Sequence, residues 1–165
     1  MGHWTALHIT NINSMHIKII STSKTKLDYI LKAEAEYLKR FPKGWKIEIQ
    51  ELNTSKIKSE NPLEIKQKEG ELFLQALPKQ GQVYLLDEKG IDFTSNDFSK
   101  FLKNKSPSVV GIGGAFGWSD EVKLKASGLI SLSKMTFPHQ VCRLFLVEQV
   151  YRAYTILNNL PYHKN

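Results

Sequence analysis

The feature that most constrains this chain is an alternation. Short apolar segments of strand length are separated by longer segments whose apolar residues recur at helical spacing, and the two kinds follow one another from Met15 onward. Residues 15–20, 45–52, 82–87, 109–112 and 129–132 read as strands; in the second, Ile47 and Ile49 share one face while Glu48 and Gln50 share the other. Between them, residues 22–41 carry Leu27, Ile30, Leu31, Leu38 and Phe41 at helical spacing, with Ser or Thr available as a cap. Asn61-Pro62 opens a second helix bearing Ile65, Leu72, Phe73 and Ala76, and Pro78 and Gly81 close it. Thr94 or Ser95 caps a third with Phe98, Phe101 and Leu102, Ser119 caps a short one over 120–126, and an apolar helix spans 141–157. Strand-to-strand returns through a helix make parallel neighbours, so the expectation is an α/β domain with a mainly parallel sheet flanked by helices. At 165 residues the chain suits one such domain, expected over 15–165. Residues 1–14 show no sustained period and read as a disordered extension; His3 and His8 within it lack a third ligand, so no metal site is expected.

Charge narrows the partners. Lys and Arg number 23 against 16 Asp and Glu, a net charge of +7, which favours polyanions through phosphate contacts and counterion release. Cys142 is the sole cysteine, so no intramolecular disulfide can form and a reducing, cytoplasmic compartment is natural. No apolar run approaches the roughly 18 residues that span a bilayer, and the N-terminus lacks the pattern of a secretion signal.

The densest chemistry lies late in the chain. Gly111-Ile112-Gly113-Gly114-Ala115-Phe116-Gly117 follows one strand, Leu132-Ser133-Lys134-Met135-Thr136-Phe137-Pro138-His139 follows the next, and the last helix begins directly behind. Loops at the carboxyl ends of parallel strands are where open α/β sheets bind ligands. A phosphate-binding P-loop is disfavoured because no Gly-Lys-Ser/Thr follows. A dinucleotide loop is disfavoured by its late position and by Phe116 standing where a third glycine belongs. A glycine turn used only for packing stays open.

Four motifs together carry a family resemblance. Val110-Gly111-Ile112-Gly113-Gly114, the 132–140 segment, Glu148-Gln149-Val150-Tyr151-Arg152-Ala153 and Pro161-Tyr162-His163-Lys164 resemble the large-subunit ribosomal RNA methyltransferase H family of the SPOUT class, as does Tyr37-Leu38-Lys39-Arg40-Phe41-Pro42-Lys43. The resemblance implies methylation of N3 of a pseudouridine in large-subunit (23S) ribosomal RNA, with S-adenosylmethionine as donor and the assembled ribosome as substrate. It also implies a homodimer and a C-terminal trefoil knot. Carried over position by position, the donor site comprises Leu86, Gly113, Leu132, Ser133, Lys134, Met135, Thr136 and Phe137. Backbone groups suit an adenine edge, while Leu86, Leu132, Met135 and Phe137 supply apolar walls.

Methyl transfer asks the protein chiefly to hold donor methyl and acceptor nitrogen in line. Glu148 and Arg152 stand four residues apart in the acidic-first order of an intrahelical ion pair. Spacing alone allows no more; the resemblance makes them, with Tyr162 and His163, the catalytic candidates. Tyr162 suits stacking on a displaced base, and His163 suits a proton relay or a phosphate contact. Arg143 is a candidate RNA-phosphate or donor-site contact, and Lys164 a candidate RNA contact. His139 reads as a polar helix start and Cys142 as core. Two alternatives accompany this reading: a SPOUT methyltransferase acting on another RNA, and a catalytically silent RNA- or ribosome-binding protein.

Overall fold

A computed structural model describes residues 12–164 of the chain; residues 1–11, most of the expected extension, lie outside them. Five strands, β1 (Met15–Ser21), β2 (Trp45–Glu51), β3 (Val83–Asp92), β4 (Val109–Ile112) and β5 (Gly128–Ser131), form one sheet in the order β2-β1-β4-β3-β5. Every neighbouring pair is parallel. The helices are α1 (Asp28–Leu38), α2 (Pro62–Ala76), α3 (Ser95–Lys105), α4 (Asp120–Lys125) and α5 (His139–Leu157). The alternation therefore yields the expected α/β architecture.

Side-chain alternation divides the core between the two sheet faces. Ile17, Ile19, Tyr84, Val110 and Ile112 pack with Leu146, Val147 and Val150 of α5, which lies between α1 and α3. Ile20, Leu52, Val83, Leu85 and Val109 pack on the opposite face with Phe73 of α2 and Val122 of α4. α1 and α3 thus cover much of the apolar surface of α5. Three helices start as the sequence indicates, because Asn61, Thr94 and Ser119 each accept a bond from a first-turn backbone N–H.

Three boundaries differ from the sequence reading. α1 begins at Asp28, and Leu27 in front of it offers no side-chain cap. The preceding segment spends its N–H groups elsewhere: Thr22 donates to the Ile112 carbonyl at 3.1 Å, Thr25 to Glu51 at 2.8 Å and Lys26 to Gln140 at 3.0 Å. Leu27 and Leu31 remain exposed, and the buried face of α1 holds Ile30 and Glu34 instead. β3 does not stop at Glu88-Lys89-Gly90 but bulges and resumes, so that Leu86 and Ile91 both pair with Ile130. Gly90 sits so close to that strand that a Cβ would lie 2.5 Å from the Ile130 backbone. Finally, the Ile12 carbonyl accepts the Trp45 indole N–H at 3.1 Å, so the fold takes in Ile12 as well as Met15.

Candidate active site

The carboxyl ends of β4 and β5 and the bulge of β3 surround a cleft of about 810 Å³, within the size range of small-molecule sites. Leu86, Gly113, Leu132, Ser133, Met135, Thr136 and Phe137 all line it, although they come from three separate strand ends. Lys134 does not; its ammonium lies 3.6 Å from Asp92 on the outer side of the loop. Local bonds shape the 132–137 segment: Ser131 donates to the Ser133 carbonyl at 2.8 Å, Ser133 Oγ accepts from the Met135 N–H at 3.0 Å, and Thr136 donates to Glu88 across the cleft mouth at 3.0 Å.

The glycines opposite are explained from beneath. Trp118, buried under the loop, donates its indole N–H to the Leu86 carbonyl at 3.0 Å and packs 4.5 Å from the Phe73 ring. A Cβ on Gly111 would lie 2.8 Å from Phe73 and one on Gly113 3.1 Å from Trp118, while one on Gly114 would meet the Glu69 carboxylate at 2.6 Å. Packing is therefore part of what the glycine loop is for. Burial pushes the Glu69 carboxyl above its ordinary range, and its Oε2 has no hydrogen-bond partner among the described residues.

A second polar cluster forms where α5 meets the C-terminal tail. Glu148 Oε1 accepts from Arg152 Nε at 3.0 Å, from Arg152 Nη2 at 2.6 Å and from the Tyr162 hydroxyl at 3.0 Å. Its Oε2 accepts from Gln149 at 2.7 Å. Arg152 Nη1 lies 3.1 Å from His163 Nδ1. A guanidinium can only donate, so Nδ1 accepts and the ring carries its proton on Nε2. Arg152 also sits 4.8 Å from the centre of the Tyr162 ring, and the Tyr162 hydroxyl meets that of Tyr37 at 3.3 Å. The bond to Glu148 raises the Arg152 pKa further, while burial, Tyr37 and Glu148 raise that of Tyr162.

The family model described as "Predicted SPOUT methyltransferase" matches residues 15–163. The chain belongs to the SPOUT methyltransferases. Among its relatives, the ribosomal RNA large subunit methyltransferase H of Parabacteroides distasonis is 44% identical over 155 residues, which cover 90% of this chain and 99% of that one. A protein of Clostridium perfringens named ribosomal RNA large subunit methyltransferase H 1 is 42% identical over 159 residues, covering 91% and 100%. The methyltransferase H of Geotalea daltonii is 37% identical over 154 residues, covering 90% and 99%. The resemblance carried by the sequence motifs is thus a family membership.

In this SPOUT methyltransferase the four catalytic candidates converge, but not on the cleft: none of Glu148, Arg152, Tyr162 and His163 lines it. Cys142 is the last α5 residue at the cleft, and Arg152 follows about ten residues later, about 15 Å along the helix axis. One expected RNA contact is corrected. Arg143 is 2% exposed, and its guanidinium is consumed by Glu34 at 2.7 and 2.9 Å and by Glu51 at 2.6 Å. These carboxylates outweigh burial and raise its pKa, so Arg143 ties α5 to α1 and β2, buried and charge-paired out of reach of a phosphate. Lys164 is exposed beside the cluster. Cys142 is also corrected, from core to half-buried cleft wall, with burial pushing its thiol up. His139 begins α5 as expected and lines the cleft too.

Sequence reasoning assigned no role to Tyr37, although it lies in one of the quoted motifs. Its hydroxyl contact with Tyr162 spans 125 residues of sequence, a distance no local pattern reveals. Among the described residues no helix is long and apolar enough to cross a membrane.

Proposed function

We propose that the protein methylates N3 of a pseudouridine in large-subunit ribosomal RNA on the assembled ribosome, in the cytoplasm, with S-adenosylmethionine as donor. The observation that carries this reading is the convergence of seven expected donor-site residues on one cleft, in a chain whose relatives are named ribosomal RNA large subunit methyltransferases. The cleft chemistry fits the donor: exposed backbone in two loops suits an adenine edge, and Leu86, Leu132 and Phe137 give apolar walls. When bound, S-adenosylmethionine supplies a methyl group on a sulfonium, an electrophile open to in-line displacement.

The cluster's part follows from its protons. N3–H of a pseudouridine lies between two carbonyls and must be lost for the nitrogen to act as nucleophile. Glu148 Oε1 is taken by Arg152 and Tyr162 and His163 Nδ1 by Arg152, so these atoms do not take the N3 proton, which passes to solvent water. Arg152 and His163 Nε2–H instead offer donors. Such donors stabilise the deprotonated base and its carbonyl oxygens, which acts where charge develops. Tyr162 offers its ring to the base and holds Glu148 in place.

Because the cluster lies about 15 Å along α5 from its own cleft, the reading includes a two-fold homodimer in which one protomer's C-terminal tail completes its partner's cleft. The trefoil knot of the family belongs to the same proposal. The test is labelling of ribosomes from a strain lacking the corresponding enzyme, using radioactive S-adenosylmethionine, with the modified nucleotide mapped by mass spectrometry. Label at N3 of a large-subunit pseudouridine is expected. Donor binding without ribosome labelling would move the target to another RNA.

A further inference from the structure

The chain has three arginines, and two of them are bound to carboxylates: Arg143 to Glu34 and Glu51, Arg152 to Glu148. Arg40 is different. No carboxylate or other hydrogen-bond acceptor engages its guanidinium among the described residues, and the residue is exposed. It is nonetheless held. Its Cζ lies 5.1 Å from the centre of the Tyr37 ring and 5.8 Å from that of Tyr151, distances at which a cation is attracted to the aromatic face. Its backbone is fixed as well, since Arg40 N donates to the Tyr37 carbonyl at 3.0 Å.

This platform is continuous with the catalytic cluster. Tyr37 contacts Arg40 through its ring and Tyr162 through its hydroxyl, and Tyr151 packs edge-on against Tyr162 at 4.9 Å. The order in space is Arg40, Tyr37 with Tyr151, Tyr162, Arg152 and His163. The neighbouring Lys39 is tied to Glu36 at 3.1 Å, whereas Lys43 and Lys164 are exposed and carry no ion pair among the described residues. A free, aromatic-braced guanidinium is a poor stabiliser of the fold and a good receptor for phosphate. Its planar fork bonds two phosphate oxygens at once, and bracing removes part of the ordering cost.

Resting on the ribosomal RNA reading above, we propose that Arg40 grips a backbone phosphate next to the target nucleotide, positioned for it by Tyr37 and Tyr151. The phosphate contact sets where the strand lies, while Tyr162, Arg152 and His163 address the base. Arg40 makes no base contact and takes no part in methyl transfer, so its effect falls on ribosome affinity.

The experiment measures methylation of ribosomes lacking the modification at several salt concentrations, together with donor affinity and thermal unfolding, for the wild type, Arg40→Ala and Arg40→Lys. Arg40→Ala is expected to raise KM for ribosomes about tenfold, the order of one charge-assisted hydrogen bond, with kcat and donor affinity held. The slope of log KM against log salt should fall by about one, as for one lost phosphate contact. Arg40→Lys should restore the salt slope but only part of the affinity. Arg40→Gln, which retains the side-chain stem over Tyr37, replaces the alanine variant should that one unfold. A lowered melting temperature with ribosome KM and salt slope unchanged would mark Arg40 as a packing residue and overturn the inference alone. A wild-type protein that leaves ribosomes unlabelled would overturn this inference and the functional reading together.

Discussion

Glu148 is the hub on which the cluster turns, and its bonding decides what its neighbours can do. With one oxygen shared by Arg152 and Tyr162, it fixes the guanidinium that in turn fixes the His163 ring. Arg152→Ala or His163→Ala should therefore abolish methylation while donor binding, followed by calorimetry, and the proposed dimer, followed by sedimentation, stay intact; wild-type turnover in both variants would refute these roles. Arg143 answers to a different test. Replacing it with alanine strands Glu34, whose side chain is 5% exposed, without its cation, and breaking such a buried pair costs about 3–5 kcal/mol. A urea titration that found less than about 1 kcal/mol would contradict that assignment. The same network gives a pH dependence. Burial pushes the Glu51 carboxyl up, but the Thr25 N–H and the Arg143 guanidinium outweigh it and hold its pKa below the ordinary value. A carboxylate with a depressed folded pKa adds stability above its unfolded pKa and loses it as pH falls through the folded one. Unfolding midpoints should accordingly drop on the acid side in the wild type, and less steeply in Arg143→Ala.

At the level of elements, the glycine loop shows how a local motif is set by what lies under it. Gly114→Ala would place a Cβ 2.6 Å from the Glu69 carboxylate; that carboxylate ends a flexible side chain and can turn aside, so donor binding should weaken by no more than about tenfold, the low end of the roughly 1–3 kcal/mol of overpacking. Adding Glu69→Ala removes the obstacle and should recover most of that affinity in calorimetry; a double variant no better than the single one would mean the loop fails for another reason. The loop, its strand and the caps at Asn61, Thr94 and Ser119 were legible in sequence because each is encoded within a few residues. What was not legible depends on distant partners. The late start of α1 is imposed by acceptors on β2, β4 and α5. The resumption of β3 beyond a turn-like Glu88-Lys89-Gly90 is imposed by Ile130 of β5. Arg143 reads as an exposed cation until Glu34 and Glu51 arrive from 109 and 92 residues away. Pattern and family point to the loops that line the cleft, family alone to the cluster's composition, and neither to the separation of cluster from cleft.

For the whole molecule, the length of α5 is the governing dimension. The helix starts at the cleft with His139 and carries Glu148 and Arg152 toward its far end, where Tyr162 and His163 fold back on it. If activity joins one chain's cleft to the other chain's cluster, then two defective alleles can rescue each other. A chain carrying a cleft substitution that abolishes donor binding and a chain disabled at the cluster by Arg152→Ala, each inactive alone, would form mixed dimers in which one site inherits both lesions and the other inherits neither. Random pairing of equal amounts makes about half the dimers mixed, restoring about a quarter of the wild-type sites. Co-expression of the two genes should thus bring back modified ribosomes that neither gene produces by itself.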